Sequence, residues 1–104
     1  NLYIFNMKNI TYTDISERKT FNALGDKFVL IATNAEHNSY LYKRIGKTVS
    51  YEIVIPIKRK NKNGTIAYVY PPTENFGYGR ALYTKNFERA LIYLDNGLQR
   101  IGGC

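Results

Sequence analysis

Cysteine occurs once, as Cys104, so these residues hold neither an intramolecular disulfide nor a zinc centre built on several thiolates. Tryptophan is absent and His37 is the single histidine. With so few soft or imidazole ligands no transition-metal site is expected, and no cofactor is implied. No apolar run reaches the roughly 18 residues that cross a bilayer as a helix, and residues 1–10 lack the basic start and small-residue cleavage site of a signal peptide. These absences favour a reducing, cytoplasmic setting and no membrane partner. The only methionine is Met7, so residues 1–6 read either as native chain or as a remnant ahead of the true start, and Cys104 either as the native end or not. Acidic residues are also scarce, 8 against 15 Lys and Arg. That balance argues against mimicry of nucleic acid, which needs a strongly acidic surface.

What is present is enough for a core. The 104 residues are 44% apolar, 14% aromatic and 22% charged, which fits one small globular domain over residues 1–104 and excludes disorder, collagen-like repeats and coiled coil. Asn, Ile, Lys and Tyr supply 41 of them, a composition typical of AT-rich coding sequence such as that of a low-GC bacterium, a phage or another mobile element. The net charge of +7 is local. Residues 43–62 hold Lys43, Arg44, Lys47, Lys58, Arg59, Lys60 and Lys62 against the single acid Glu52, and elsewhere bases and acids nearly cancel.

Along the chain, Asp14 stands three residues before Glu17 and Gly25 follows Leu24, so residues 14–24 are predicted to form a short helix. Period-two patterning then predicts strands at 28–32, 40–45 and 49–57, the last with Val49, Tyr51, Ile53, Ile55 and Ile57 on an unbroken apolar face and Pro56 marking an edge or bulge. Asn63-Gly64 predicts a tight hairpin turn into residues 65–70, giving a basic hairpin over 49–70. A short strand is expected at 81–83. A final helix over 86–96 is expected from Asn86 as N-cap, Phe87, Ala90, Leu91 and Leu94 at i, i+3, i+4 and i+7, and Asn96-Gly97 as C-cap. The fold class is α+β, a four- to five-stranded antiparallel meander with one or two helices packed on one face.

Candidate sites follow from charge and aromatics, since no catalytic or metal-binding motif is found. Lys58, Arg59, Lys60 and Lys62 suit phosphates by counterion release, or keep a hairpin tip soluble and unpaired. Lys43, Arg44 and Lys47 fall near the opposite turn, making two basic ends rather than one pocket. Tyr40, Tyr42 and Arg44 share a strand face, as do Tyr68 and Tyr70, a mixture that either stacks unpaired bases or packs across strands. His37 beside Glu36 reads as a surface histidine, because adjacent side chains point apart. Gly77-Tyr78-Gly79-Arg80 lacks the rest of a phosphate-loop fingerprint and reads as a turn, so Phe76, Tyr78 and Arg80 form a candidate partner-contact loop.

Residues 44–53, Arg44-Ile45-Gly46-Lys47-Thr48-Val49-Ser50-Tyr51-Glu52-Ile53, resemble the basic strand–turn–strand segment of RelE-type toxins. The resemblance implies a metal-independent endoribonuclease working with Lys, Arg, Tyr and Glu side chains; the two helices that precede the segment in that family are not evident here. The leading expectation is a small, non-enzymatic, basic binding module whose partner is nucleic acid or a nucleic-acid-handling complex. The alternative is a phage or mobile-element inhibitor of a host defence nuclease, anti-CRISPR-like, acting by direct protein contact. The sheet edge leaves the oligomeric state open.

Overall fold

The computed structural model describes residues 8–71 and 80–98. Among them the chain runs through β1 (Ile10–Tyr12), a 3-10 turn (Ile15–Glu17), β2 (Thr20–Ala23), β3 (Asp26–Asn34), β4 (Ser39–Ile45), β5 (Val49–Val54), β6 (Ile57–Lys60), β7 (Ile66–Val69), β8 (Ala81–Thr84) and one helix, α1 (Phe87–Asp95). The α+β class holds, but eight strands replace the four or five expected. β3, β4 and β5 form the antiparallel meander, β8 returns to the free side of β5, and β1 and β2 both pair with β3 on its far side. β6 and β7 leave this sheet and pair only with each other.

Three local expectations are corrected. The helix over residues 14–24 is a single 3-10 turn followed by β2. Asp14 does cap, its side chain accepting from the Ser16 amide at 2.9 Å, but the chain then extends. Thr20 and Phe21 pair with Val29 and Phe28, so burial of Phe21 against β3 overrides a weak helical pattern. Gly25 ends no helix; with Leu24 it makes a two-residue hairpin turn, at φ 55° and 79°. The hairpin over 49–70 is likewise split. β5 stops at Val54 because Pro56 has no amide hydrogen for the ladder, and β6 starts the separate ribbon at Ile57.

The turn of that ribbon also differs from a tight Asn-Gly pair. Gly64 has φ 87° while Asn63 is not left-handed, and the Gly64 amide donates to the Asn61 carbonyl at 3.0 Å. This is the longer loop in which a glycine in the left-handed region follows an ordinary turn. Asn63 serves it through its side chain, whose Oδ1 accepts from the Thr65 amide at 3.1 Å.

α1 forms where expected, with Asn86 Oδ1 accepting from the Arg89 amide at 2.9 Å. Its Ala90, Leu91 and Leu94 are fully buried against Ile31, Leu41, Ile53 and Leu82 on one face of the sheet. Burying leucines such as Leu91 and Leu94 contributes about 1.5–3 kcal/mol each. Phe87 stays partly exposed and rests its ring 5.3 Å from that of Tyr51. A bulge in β3 between Leu30 and Ala32 sets Ile31 and Ala32 together into this helix-side core. No helix among the described residues is long and apolar enough to cross a membrane.

The other face of the sheet is the unexpected one. On β5 the residues that alternate with the apolar set are Ser50, Glu52 and Val54, and all three are buried, at 5%, 3% and 1% exposure. Both faces are therefore covered, one by α1 and the other by the end of the ribbon.

Candidate nucleic-acid interface

The second face is built from pairs that sit directly opposite across the strands: Phe21 with Phe28, Phe28 with Arg44, Tyr42 with Glu52, Tyr40 with Val54. Opposed residues in an antiparallel pair share a face, so β2, β3 and β4 collect aromatic rings at one place, with Glu52 and Val54 of β5 beside them. Phe21 and Phe28 stack at 4.7 Å between centroids, and Tyr42 meets Phe21 edge-on at 5.3 Å. Tyr70, just beyond β7, closes the group at 5.6 Å from both Phe21 and Tyr42. Edge-to-face packing suits the ring quadrupoles, and it pins the base of the ribbon to the sheet.

Beside the rings lies a polar network. Arg44 Nε donates to Asp26 at 2.7 Å, Arg44 Nη1 donates to Glu52 Oε2 at 2.9 Å, and its guanidinium carbon stands 5.1 Å from the Phe28 ring centre. Tyr70 Oη donates to Glu52 Oε1 at 2.6 Å. The hydrogen bonds that Arg44 donates to Glu52 and then to Asp26 raise its pKa further. Burial first, and then the Glu52 carboxylate, push the Tyr70 phenol far above its usual value, and burial raises that of Tyr42. Gly46 belongs to this network by its lack of a side chain, since a Cβ there would collide with the Asp26 carboxylate.

Arg44 is thus a structural cation shared by two carboxylates, not a free hand for phosphate. Lys43 is half-buried on β4 and Lys47 is exposed in the β4–β5 turn. They lie at the opposite end of β5 from the ribbon, so two basic ends are what the fold presents. A cleft of about 380 Å³ near Lys47 is lined by Asp26, Arg44, Thr48, Ser50 and Tyr83, and its guanidinium is already neutralised.

The ribbon carries the uncompensated charge. Residues 57–69 hold Lys58, Arg59, Lys60 and Lys62 and no acid, and all four side chains are exposed. Register puts Lys58 opposite Tyr68 and Lys60 opposite Ile66, so one ribbon face bears two lysines, a tyrosine and an isoleucine. Tyr68, 62% exposed, also lines a cleft of about 310 Å³ between ribbon and sheet. The floor and far wall of that cleft come from Tyr40, Tyr42, Val54, Pro56 and Tyr70. Tyr42 is thereby both a packing partner of the aromatic group and part of a concave surface.

Other candidates fall elsewhere. Arg80 is exposed next to β8, with Nη1 3.5 Å from the Pro56 carbonyl, while Phe76 and Tyr78 lie outside the described residues, as do residues 1–6 and Cys104. His37 is exposed in the β3–β4 turn with its ring against Gly97. Among the described residues no group of three or more His, Cys, Asp or Glu converges as a metal site would. The cleft was only half legible: the Tyr68 and Tyr70 alternation signalled a shared face, but Phe21, Val54 and Pro56 reach it through tertiary folding alone. No family model, curated protein or solved structure matches the chain.

Proposed function

We propose that this protein is a small, non-catalytic binding module that grips the phosphate backbone of a nucleic acid, free or within a nucleic-acid-handling complex, with the β6–β7 ribbon. The observation that carries the reading is the ribbon itself: four exposed bases and no acid on a two-stranded projection, with Lys58 directly opposite Tyr68 and Lys60 on the same face. Clustered cations on such a projection release condensed counterions when they meet phosphates, a gain independent of sequence. A solvating role alone does not call for an aromatic ring exposed across from a lysine.

Salt is the test. If four ribbon cations neutralise phosphates, log affinity against log salt falls with a slope of about −3 for single strands and somewhat steeper for duplex. The triple variant Lys58→Glu, Arg59→Glu, Lys60→Glu flattens that slope and weakens binding at every salt concentration. Affinity that ignores salt, or a triple variant that binds as well as the parent, defeats the proposal. A discrete protein retained from nuclease-treated lysate by parent and triple variant alike moves the function to direct protein contact.

A further inference from the structure

A ribbon of cations reads phosphates on any nucleic acid, single or double, because the backbone charge is common to both. The cleft beside it does not share that indifference. Its lining carries no charged side chain, and four tyrosines contribute to it: Tyr40 and Tyr42 from β4, Tyr68 from β7 and Tyr70 just beyond. Tyr42 and Tyr70 are committed to the aromatic packing beneath, but Tyr68 has no ring partner among the described residues and holds most of its surface in water. Lys58, directly opposite Tyr68, and Lys60, one repeat further along the same face, extend this surface with positive charge.

We infer that the strand held by the ribbon is single-stranded, with an unpaired base seated in this cleft against Tyr68 while the flanking phosphates run along Lys58 and Lys60. The inference rests on the phosphate-binding reading above and adds the class of nucleic acid. Three features support it. The volume, about 310 Å³, lies at the small end of ligand pockets, suiting one base and its sugar and not a duplex. Tyrosine faces stack on any base, but in a duplex those faces are already covered by neighbours. Lys58 stands directly opposite the lining residue Tyr68 in the ribbon while the lining itself is neutral, which matches a ligand with an apolar ring and a charged backbone.

Fluorescence anisotropy at one fixed salt concentration separates the two claims, with four probes of equal length: oligothymidylate, oligouridylate, an abasic sugar-phosphate strand and a duplex. The expected order is base-bearing strands tighter than the abasic strand by about tenfold or more, with the duplex also weaker than the single strands. Tyr68→Ala, at an exposed position, brings oligothymidylate down to the abasic level and leaves abasic binding unchanged, whereas Tyr68→Phe retains the difference. Far-ultraviolet circular dichroism verifies that both variants fold. Equal affinity for abasic and base-bearing strands, tighter binding of duplex, or a Tyr68→Ala loss equal on both strands overturns the seated base while leaving the ribbon reading intact, provided Lys58→Glu, Lys60→Glu weakens every probe. Failure of all four probes to bind overturns the ribbon reading and the seated base with it.

Discussion

Tyr70 donates from its hydroxyl to Glu52 at 2.6 Å, joining the end of the ribbon to β5, one strand in from the edge of the sheet, across 18 residues of sequence. Glu52 is 3% exposed, and its second oxygen is held by Arg44 at 2.9 Å. A carboxylate so far from water is tolerated because each oxygen has a donor, one of them charged. The two donors come from different segments, so the pair also fixes where the ribbon leaves the sheet.

Removing either donor tests this arrangement. Tyr70→Phe keeps the ring contacts and deletes the hydroxyl, and is expected to cost about 1.5–3 kcal/mol, the range for a hydrogen bond to a charged group. Arg44→Met strips the charged partner from both Glu52 and Asp26 and is expected to cost more, about 3–5 kcal/mol. Urea midpoints with unchanged slopes give both values. A Tyr70→Phe midpoint equal to that of the parent shows that the hydroxyl is not needed to satisfy Glu52.

The same network predicts an alkaline limit to stability. Tyr70 and Tyr42 keep their phenol protons more tightly when folded, chiefly through burial. A group whose folded pKa lies above its unfolded value adds stability that is complete below the unfolded value, about 10 for tyrosine, and is lost as pH rises beyond it. Stability is therefore expected to decline above about pH 10, by roughly 1.4 kcal/mol per pH unit for each proton the folded state retains. Tyr70→Phe makes that decline shallower. Denaturation midpoints across an alkaline series measure it, and parallel curves for parent and variant refute the assignment to Tyr70.

These residues also show where sequence reading stops. α1, β4 and β8 were legible because their periodicity, caps and turns are local, and the charge of the ribbon is visible in any composition count. The burial of Glu52 is not legible from its place in the β5 alternation, because the group that covers it, Tyr70, arrives from elsewhere in the chain. Arg44 read as a free cation for a similar reason: its carboxylates are 18 and 8 residues away. β2 was hidden differently, since Asp14, Glu17 and Gly25 imitate helix punctuation and nothing in Leu24 announces a left-handed turn.

Leu24 offers a gain in stability. It is 81% exposed and held at φ 55°, where the Cβ of an L-residue crowds the backbone, so the hairpin between β2 and β3 forms despite its first turn residue. Leu24→Asn or Leu24→Gly supplies the residue this turn type favours, and removes exposed apolar surface. An increase of about 1 kcal/mol is expected from relieving the left-handed strain, read as a higher melting temperature. A decrease shows that the side chain makes a contact worth more than the strain.

Asn34, fully buried at the end of β3, holds the C-terminus of α1. Its Nδ2 donates to the Leu94 carbonyl at 2.9 Å and lies 3.4 Å from the Asp95 carbonyl, while its Oδ1 accepts from the Glu36 amide at 3.1 Å. Helix ends leave carbonyls unpaired, and here a strand supplies the missing donor. Asn34→Ala is expected to lose about 1–3 kcal/mol, the penalty for buried groups left without partners. Asn34→Asp is the sharper test because it keeps the shape and replaces a donor with an anion, facing carbonyl oxygens at the negative end of the helix dipole. Its carboxyl is thus expected to have a folded pKa above the unfolded value of about 3.9, so the variant's deficit relative to the parent is largest at neutral pH and shrinks as pH falls and the protonated acid regains a donor. Urea midpoints of parent and variant at neutral and acid pH supply the difference. A deficit that does not change with pH shows that the amide is required for its shape and not for its hydrogens.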